Sequence, residues 1–259
     1  MATAWPALLE WWYERPRASD DPERKRLRAA VKEELDRPLS ASDVAWFAAV
    51  LADHDRNRFV LFTLRQGPNT AGVPLLEPLL RAAVYETNPS FNRLFVEPCV
   101  RCVGWQTTTQ GLLRFLATGS DFEKAGAVNA LYWSIGYSNP VIRDSRIKDA
   151  VPDPPESEEE TPTDTIRRLD TMLLEEFVGN PDIHVRRSIV TWLRKPGDYP
   201  PHLRTLAEEA RRIALAHPDG FIRGRAEIAY LPRPDTRVEF SPLPHRAPET
   251  HAINEPPDR

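Results

Sequence analysis

Two cysteines, Cys99 and Cys102, stand at Cys-x-x-Cys spacing, a pattern that serves either a redox dithiol or half of a tetrahedral zinc site. The zinc site lacks its other half: no second cysteine pair exists and the six histidines are scattered. A redox pair needs its first thiol at a helix N-terminus, whereas this pair falls inside an apolar helical pattern, so both are read as small core thiols. His54 and Asp55 are adjacent at an inter-helix turn, where Asp53 and Asp55 are read as caps of the helix that follows. The chain carries no glycine-rich phosphate loop, no Gly-x-Ser-x-Gly elbow and no His-Glu-x-x-His, the spacings that nucleotide, acyl-transfer and zinc chemistry require. No catalytic residue, metal ligand or cofactor is expected, and the chain is read as non-enzymatic.

The remaining chemistry is that of a surface. Arginine outnumbers lysine 29 to 5, and its planar fork suits carboxylate and phosphate, although a compositional bias of the genome produces the same excess. On a helix starting at Asp182, Val185, Ile189 and Trp192 share one face, and His184, Arg187, Thr191 and Arg194 share another. Arg223 and Arg225 in the next unit, with Arg93 and Arg101 in an earlier one, extend this into a candidate basic row. Such a row fits an acidic peptide or a phosphate backbone. The competing reading has Arg186 and Arg223 forming a ladder between units, with the other arginines solvated.

Composition narrows the partner. The chain has 259 residues, 41% hydrophobic and 28% charged, with a net charge of −4. That balance excludes a chain disordered throughout and argues against one built to coat nucleic acid or anionic lipid. No apolar run reaches membrane length and no basic-then-apolar leader opens the chain, so the expectation is a cytoplasmic protein without a membrane partner.

These side chains must be positioned by helices. Apolar residues recur at helical spacing over about 3–14, 20–36, 42–52, 55–66, 73–86, 90–104, 107–117, 121–136, 163–178, 182–194, 202–216 and 219–230, with no alternating strand pattern. The fold class is all-α. Breakers such as Asn88-Pro89, Gly119-Ser120, Asn180-Pro181 and His217-Pro218 separate the segments. Asp53 to Asn88 spans 35 residues, Asn88 to Ser120 32, and Asn180 to His217 37, a period typical of stacked helix pairs. Ser120 to Asn180 spans 60, one unit plus an insert whose Asp153 to Glu160 stretch holds five carboxylates. From Pro232 to Arg259, seven prolines in 28 residues mark an extended tail.

Two units align residue by residue. Asn180-Pro-Asp-Ile-His-Val-Arg and His217-Pro-Asp-Gly-Phe-Ile-Arg share Pro, Asp, a β-branched residue and Arg at identical offsets. Here the chain resembles the HEAT-repeat family. The resemblance covers 40 to 231 and is partial outside these two units. It implies an α-solenoid of about five to six helix pairs in a right-handed superhelix, with Arg186 and Arg223 pairing to an Asp of a neighbouring repeat. The organisation expected is a helical cap at 1–39, repeats at 40–138, an acidic proline-rich loop at 139–163, repeats at 164–231 and a tail at 232–259. Trp5, Trp11, Trp12 and Tyr13 cluster at helical spacing, read as pressing a cap helix onto the first repeat, with an exposed partner or membrane patch as the alternative. The implied function is a scaffold that binds another protein or an acidic peptide on its second helices. Alternatives within the resemblance are a HEAT-like DNA glycosylase, in which Trp105, Trp133, Trp192, Asp121 and Arg187 would act on a damaged base, and a bilin-lyase-like protein.

Overall fold

A computed structural model describes residues 4–14, 21–139 and 161–230. The tail 232–259 and nearly all of the acidic loop at 139–163 lie outside these residues. Among the described residues there are eleven α-helices and no strand. They are α1 (Trp5–Glu14), α2 (Pro22–Leu35), α3 (Ala41–Ala52), α4 (Asn57–Leu64), α5 (Leu76–Tyr85), α6 (Pro89–Thr118), α7 (Asp121–Gly136), α8 (Pro162–Gly179), α9 (Ile183–Ile189), α10 (Arg204–Leu215) and α11 (Gly220–Tyr230). None of them is long and apolar enough to cross a membrane.

Local residues start these helices. Ser40 with Asp43, Ser120 with Glu123 and Thr161 with Asp164 each form a reciprocal capping box, which pairs N–H groups that the helix itself leaves open. Asp43 is fully buried and salt-bridged to Arg37 at 2.9 Å. Burial pushes the Asp43 carboxyl up, but the Arg37 guanidinium and the Ser40 hydroxyl and N–H outweigh it and hold it at about 2.

The long α6 is two helices in one. Gly104 sits at φ 81°, ψ 163° in its middle, a backbone region open almost only to glycine, where an L side chain is strained by about 1–3 kcal/mol. The kink falls between the two segments that periodicity separates, 90–104 and 107–117. Cys99 and Cys102 lie just before it as buried free thiols, and burial pushes both thiols up, opposite to the shift a reactive thiolate needs.

The helices pack as two rows. Odd-numbered helices touch in order, α3 to α5 to α7 to α9 to α11, and even-numbered ones likewise, α2 to α4 to α6 to α8 to α10. One hydrophobic core joins these helices, from Trp5 to Tyr230. At its start, Trp5 is fully buried with its ring 4.7 Å from Phe47, and Trp12 lies 6.1 Å from both Phe59 and Phe62, so α1 covers the beginning of the core. In the middle, α7 is buried on most sides by small residues, Ala125, Gly126, Ala127 and Ala130 among them, which lets α5, α6 and α9 approach it closely.

One segment departs from the expected pattern. The helix anticipated over 182–194 ends at Ile189; a turn follows, in which the Trp192 N–H donates to Ile189 O at 2.8 Å, and Lys195, before Pro196, is extended (φ −60°, ψ 139°). Arg194 therefore leaves the helix face on which the apolar period placed it.

Candidate functional site

The two aligned units do the same local work. Asp182 Oδ1 accepts from the N–H groups of His184 and Val185 at 2.9 and 3.0 Å, and Asp219 Oδ1 accepts from Ile222 N–H at 3.0 Å. Val185 and Ile222 are fully buried. One step earlier, Asn180 Oδ1 accepts from Asp182 N–H at 2.8 Å, and His217 Nδ1 accepts from Asp219 N–H at 3.1 Å.

The equivalent arginines also behave alike, but not as the resemblance implies. Arg186 donates to the carbonyls of Phe177 and Val178 at 3.1 and 3.5 Å, and Arg223 donates to those of His217 and Pro218 at 2.9 and 3.4 Å. Each ties its helix to the chain just before it. The link between units comes from the next residue, Arg187, whose guanidinium grips Asp219 through Nη2 at 2.6 Å and Nε at 3.3 Å. With the Ile222 N–H helping, this pair holds the Asp219 carboxyl at about 2.

His217 gives the second unit a pH dependence that the first lacks. Burial pushes its imidazole below the ordinary value of 6.5, the Arg186 charge adds to that shift, and Asp219 opposes it. Below pH 6.5 the unfolded chain therefore binds more protons at this site than the folded one, so stability is full above that pH and falls as pH drops. Protonation also removes the Nδ1 acceptor. His217→Asn copies Asn180, and is expected to abolish this loss of stability between pH 7 and 5. Urea denaturation of both proteins at the two pH values checks it.

Three depressions adjoin on the odd-helix face. The first, about 540 Å3, lies between α3 and α5 and is lined by His54, Arg81, Tyr85 and Glu86. The second, also about 540 Å3, shares Glu86 and is lined by Phe122, Gly126, His184 and Arg187. The third, about 760 Å3, shares Asn129, Arg187 and Ser188 with the second and is walled by Tyr132, Trp133, Trp192, Phe221 and Arg225. Each shares lining residues with the next, Glu86 alone joining the first two, and together they form a trough along α3, α5, α7, α9 and α11.

The third depression is aromatic. The Tyr132 ring stands nearly perpendicular to Trp133 (5.2 Å, 87°) and to Trp192 (6.2 Å, 82°), and Tyr132 is 62% exposed. Trp133 is fixed by its indole N–H donating to Pro89 O at 2.8 Å and by the Arg93 guanidinium 5.5 Å from its ring. Arg225 lies 5.4 Å over Phe221. None of the lining residues is a carboxylate.

Of the arginines and histidine singled out by spacing, Arg187 and Arg225 line the trough, His184 and Arg187 line its middle, and Arg93 supports it through Trp133. The other three are occupied elsewhere. Arg194 binds Asp170 of α8 at 2.5 Å, with its guanidinium 4.5 Å over Tyr199. Burial pushes the Asp170 carboxyl up, and the Arg194 charge opposes it; this contact staples the α9–α10 connection to α8. Arg223 and Arg101 donate to backbone carbonyls, Arg101 to that of Leu64. The residues considered for base excision divide similarly. Trp133, Trp192 and Arg187 meet in the trough, whereas Trp105 is 3% exposed in the core and Asp121 accepts from the Asn180 side chain at 2.7 Å, outside the aromatic depression.

Tyr132 and Phe221 escape a reading of the sequence by periodicity, which assigns aromatics to the core. The available signal is adjacency: Leu131, Tyr132 and Trp133 follow one another on a helix and cannot all face one way. Among the described residues no group of three His, Cys, Asp or Glu is placed to hold a metal. No family model, no curated protein and no solved structure matches the chain.

Proposed function

We propose that the chain is a HEAT-like α-solenoid whose odd-numbered helices bind an extended segment of another protein, without chemistry of its own. The observation that carries this reading is the trough of three adjoining depressions, rich in aromatics and arginines, along five odd-numbered helices. The ordered contacts within each helix row support the solenoid architecture. A trough crossing successive helices suits an extended ligand better than a compact one, and exposed Tyr and Trp supply large contact area at small entropic cost. Arg225, which has no carboxylate partner among the described residues, favours acidic positions in that segment.

Affinity capture from native lysate with the tagged full chain tests the proposal, run beside a Tyr132→Ser, Arg225→Glu variant of unchanged circular dichroism. The expected result is one stoichiometric protein retained by the wild type and lost from the variant. Equal capture by both, or nucleic acid co-purifying in place of protein, contradicts it.

A further inference from the structure

The depression between α3 and α5 holds polar groups that the fold leaves uncompensated. Glu86, which ends α5, is 7% exposed, and its Oε1 accepts from the Asn88 N–H at 2.8 Å. Its Oε2 has no donor, and neither oxygen has a cation within ion-pair distance, among the described residues. Asn57, the first residue of α4, is 6% exposed, and its side-chain amide has no hydrogen-bond partner among the described residues. Both side chains line the depression, whose volume is about 540 Å3. A carboxylate buried without a counter-charge loses hydration without gaining an ion pair, and a buried amide without partners loses it on a smaller scale.

The nearby charges face other partners. Arg81, on the same lining, lies 3.9 Å from Glu123 and 5.8 Å over the Phe115 ring. Arg187, across Glu86 in the neighbouring depression, grips Asp219. Glu77, the other carboxylate of the lining, meets Arg114 at 3.4 Å. The backbone strengthens the negative field at Glu86, because α3 and α5 both end beside the depression and neither carries a basic residue in its last turn. Apolar side chains, Leu51, Pro78 and Ala82 among them, make up much of the remaining lining. An apolar hollow of this size with a few placed polar groups is the usual form of a small-molecule site.

We infer that this depression binds a small organic amine, with its ammonium on Glu86, its apolar body against Leu51, Pro78 and Ala82, and a hydrogen-bonding group paired with Asn57. A primary ammonium brings both the positive charge and the N–H donors that Glu86 Oε2 lacks, so one contact supplies an ion pair and a hydrogen bond. An anion meets the carboxylate and the two helix ends and is rejected. The site needs only α3, α4 and α5, and holds whether or not a protein segment lies in the trough.

Tryptamine, which carries an ammonium, an apolar ring system and an indole N–H, tests the inference by calorimetric titration of the full chain. Tryptophol, with a hydroxyl in place of the ammonium, and indole-3-propionate, with a carboxylate, are the matched controls. The expected result is saturable one-site binding of tryptamine, about 10-fold or more tighter than tryptophol, and none of indole-3-propionate. Glu86→Gln keeps an acceptor for the Asn88 N–H, and Ala52→Trp fills the depression from an exposed position. Each should weaken tryptamine by about 10-fold or more at unchanged circular dichroism. Tyr132→Ser with Arg225→Glu should leave tryptamine binding unchanged, so failure here and failure of the proposed partner binding are told apart. Equal affinity for tryptamine and tryptophol, or no saturable binding, overturns the inference. Full-strength binding of tryptamine by either Glu86→Gln or Ala52→Trp overturns it too, as does its loss from the Tyr132→Ser, Arg225→Glu variant.

Discussion

Gly126→Ala is expected to lower the stability of the chain by about 2–3 kcal/mol, the cost of overpacking a close-packed core less the helix preference of alanine. A Cβ built at Gly126 falls 1.9 Å from the Val84 carbonyl oxygen and 2.8 Å from its carbon. The obstacle is backbone, so no rotamer change relieves it, and α7 must move away from α5. Because α7 also packs on α6 and α9, the displacement spreads through the centre of the molecule. For a domain of this size the midpoint of thermal unfolding should fall by about 5–10 °C. Gly179→Ala is the control: no atom lies within 4 Å of its built Cβ, and it is expected to be neutral or slightly stabilising. Since Val84 and Gly126 both line the middle depression, the same substitution should weaken ligand binding, and scanning calorimetry beside a binding isotherm separates the two effects.

Trp192→Ala and Tyr132→Ala are each expected to weaken binding of the partner by about 30-fold or more, since a central aromatic anchor contributes about 2 kcal/mol or more. Tyr132 is 62% exposed, so its loss should leave stability nearly unchanged. Arg194→Ala should do the opposite. Its guanidinium is held by Asp170 and Tyr199 away from the trough, so stability falls modestly while affinity holds. Isothermal titration against the captured partner gives the affinities, and losses of equal size from Arg194→Ala and Trp192→Ala would contradict the assignment.

Much of the local architecture was legible in the sequence because helix starts depend on near neighbours. Asp182 and Asp219 cap where their spacing puts them, and Val185 and Ile222 open buried stripes. The break inside α6 is marked by Gly104, one residue type with an accessible positive φ. The end of α9 is not legible because Trp192 keeps the helical spacing of Val185 and Ile189 although the helix stops at Ile189 and a turn takes over. Arginine roles were hidden for a different reason. Arg194 meets Asp170 24 residues away and Arg101 meets Leu64 37 away, partners that only the packed rows bring into reach. The trough itself was half visible: Arg187 and Arg225 follow from the repeat, whereas Tyr132 and Phe221 are exposed aromatics that an apolar pattern assigns to the core.

Photo-crosslinking from within the trough tests the central claim most directly. With p-benzoylphenylalanine in place of Tyr132, irradiation of native lysate is predicted to give an adduct between the chain and one defined protein, distinguishable by mass from a crosslink to the chain's own tail. The same probe in place of Glu208, exposed on the even-numbered α10, should give none. Adducts of equal yield at both positions, or no protein adduct from Tyr132, would contradict the account.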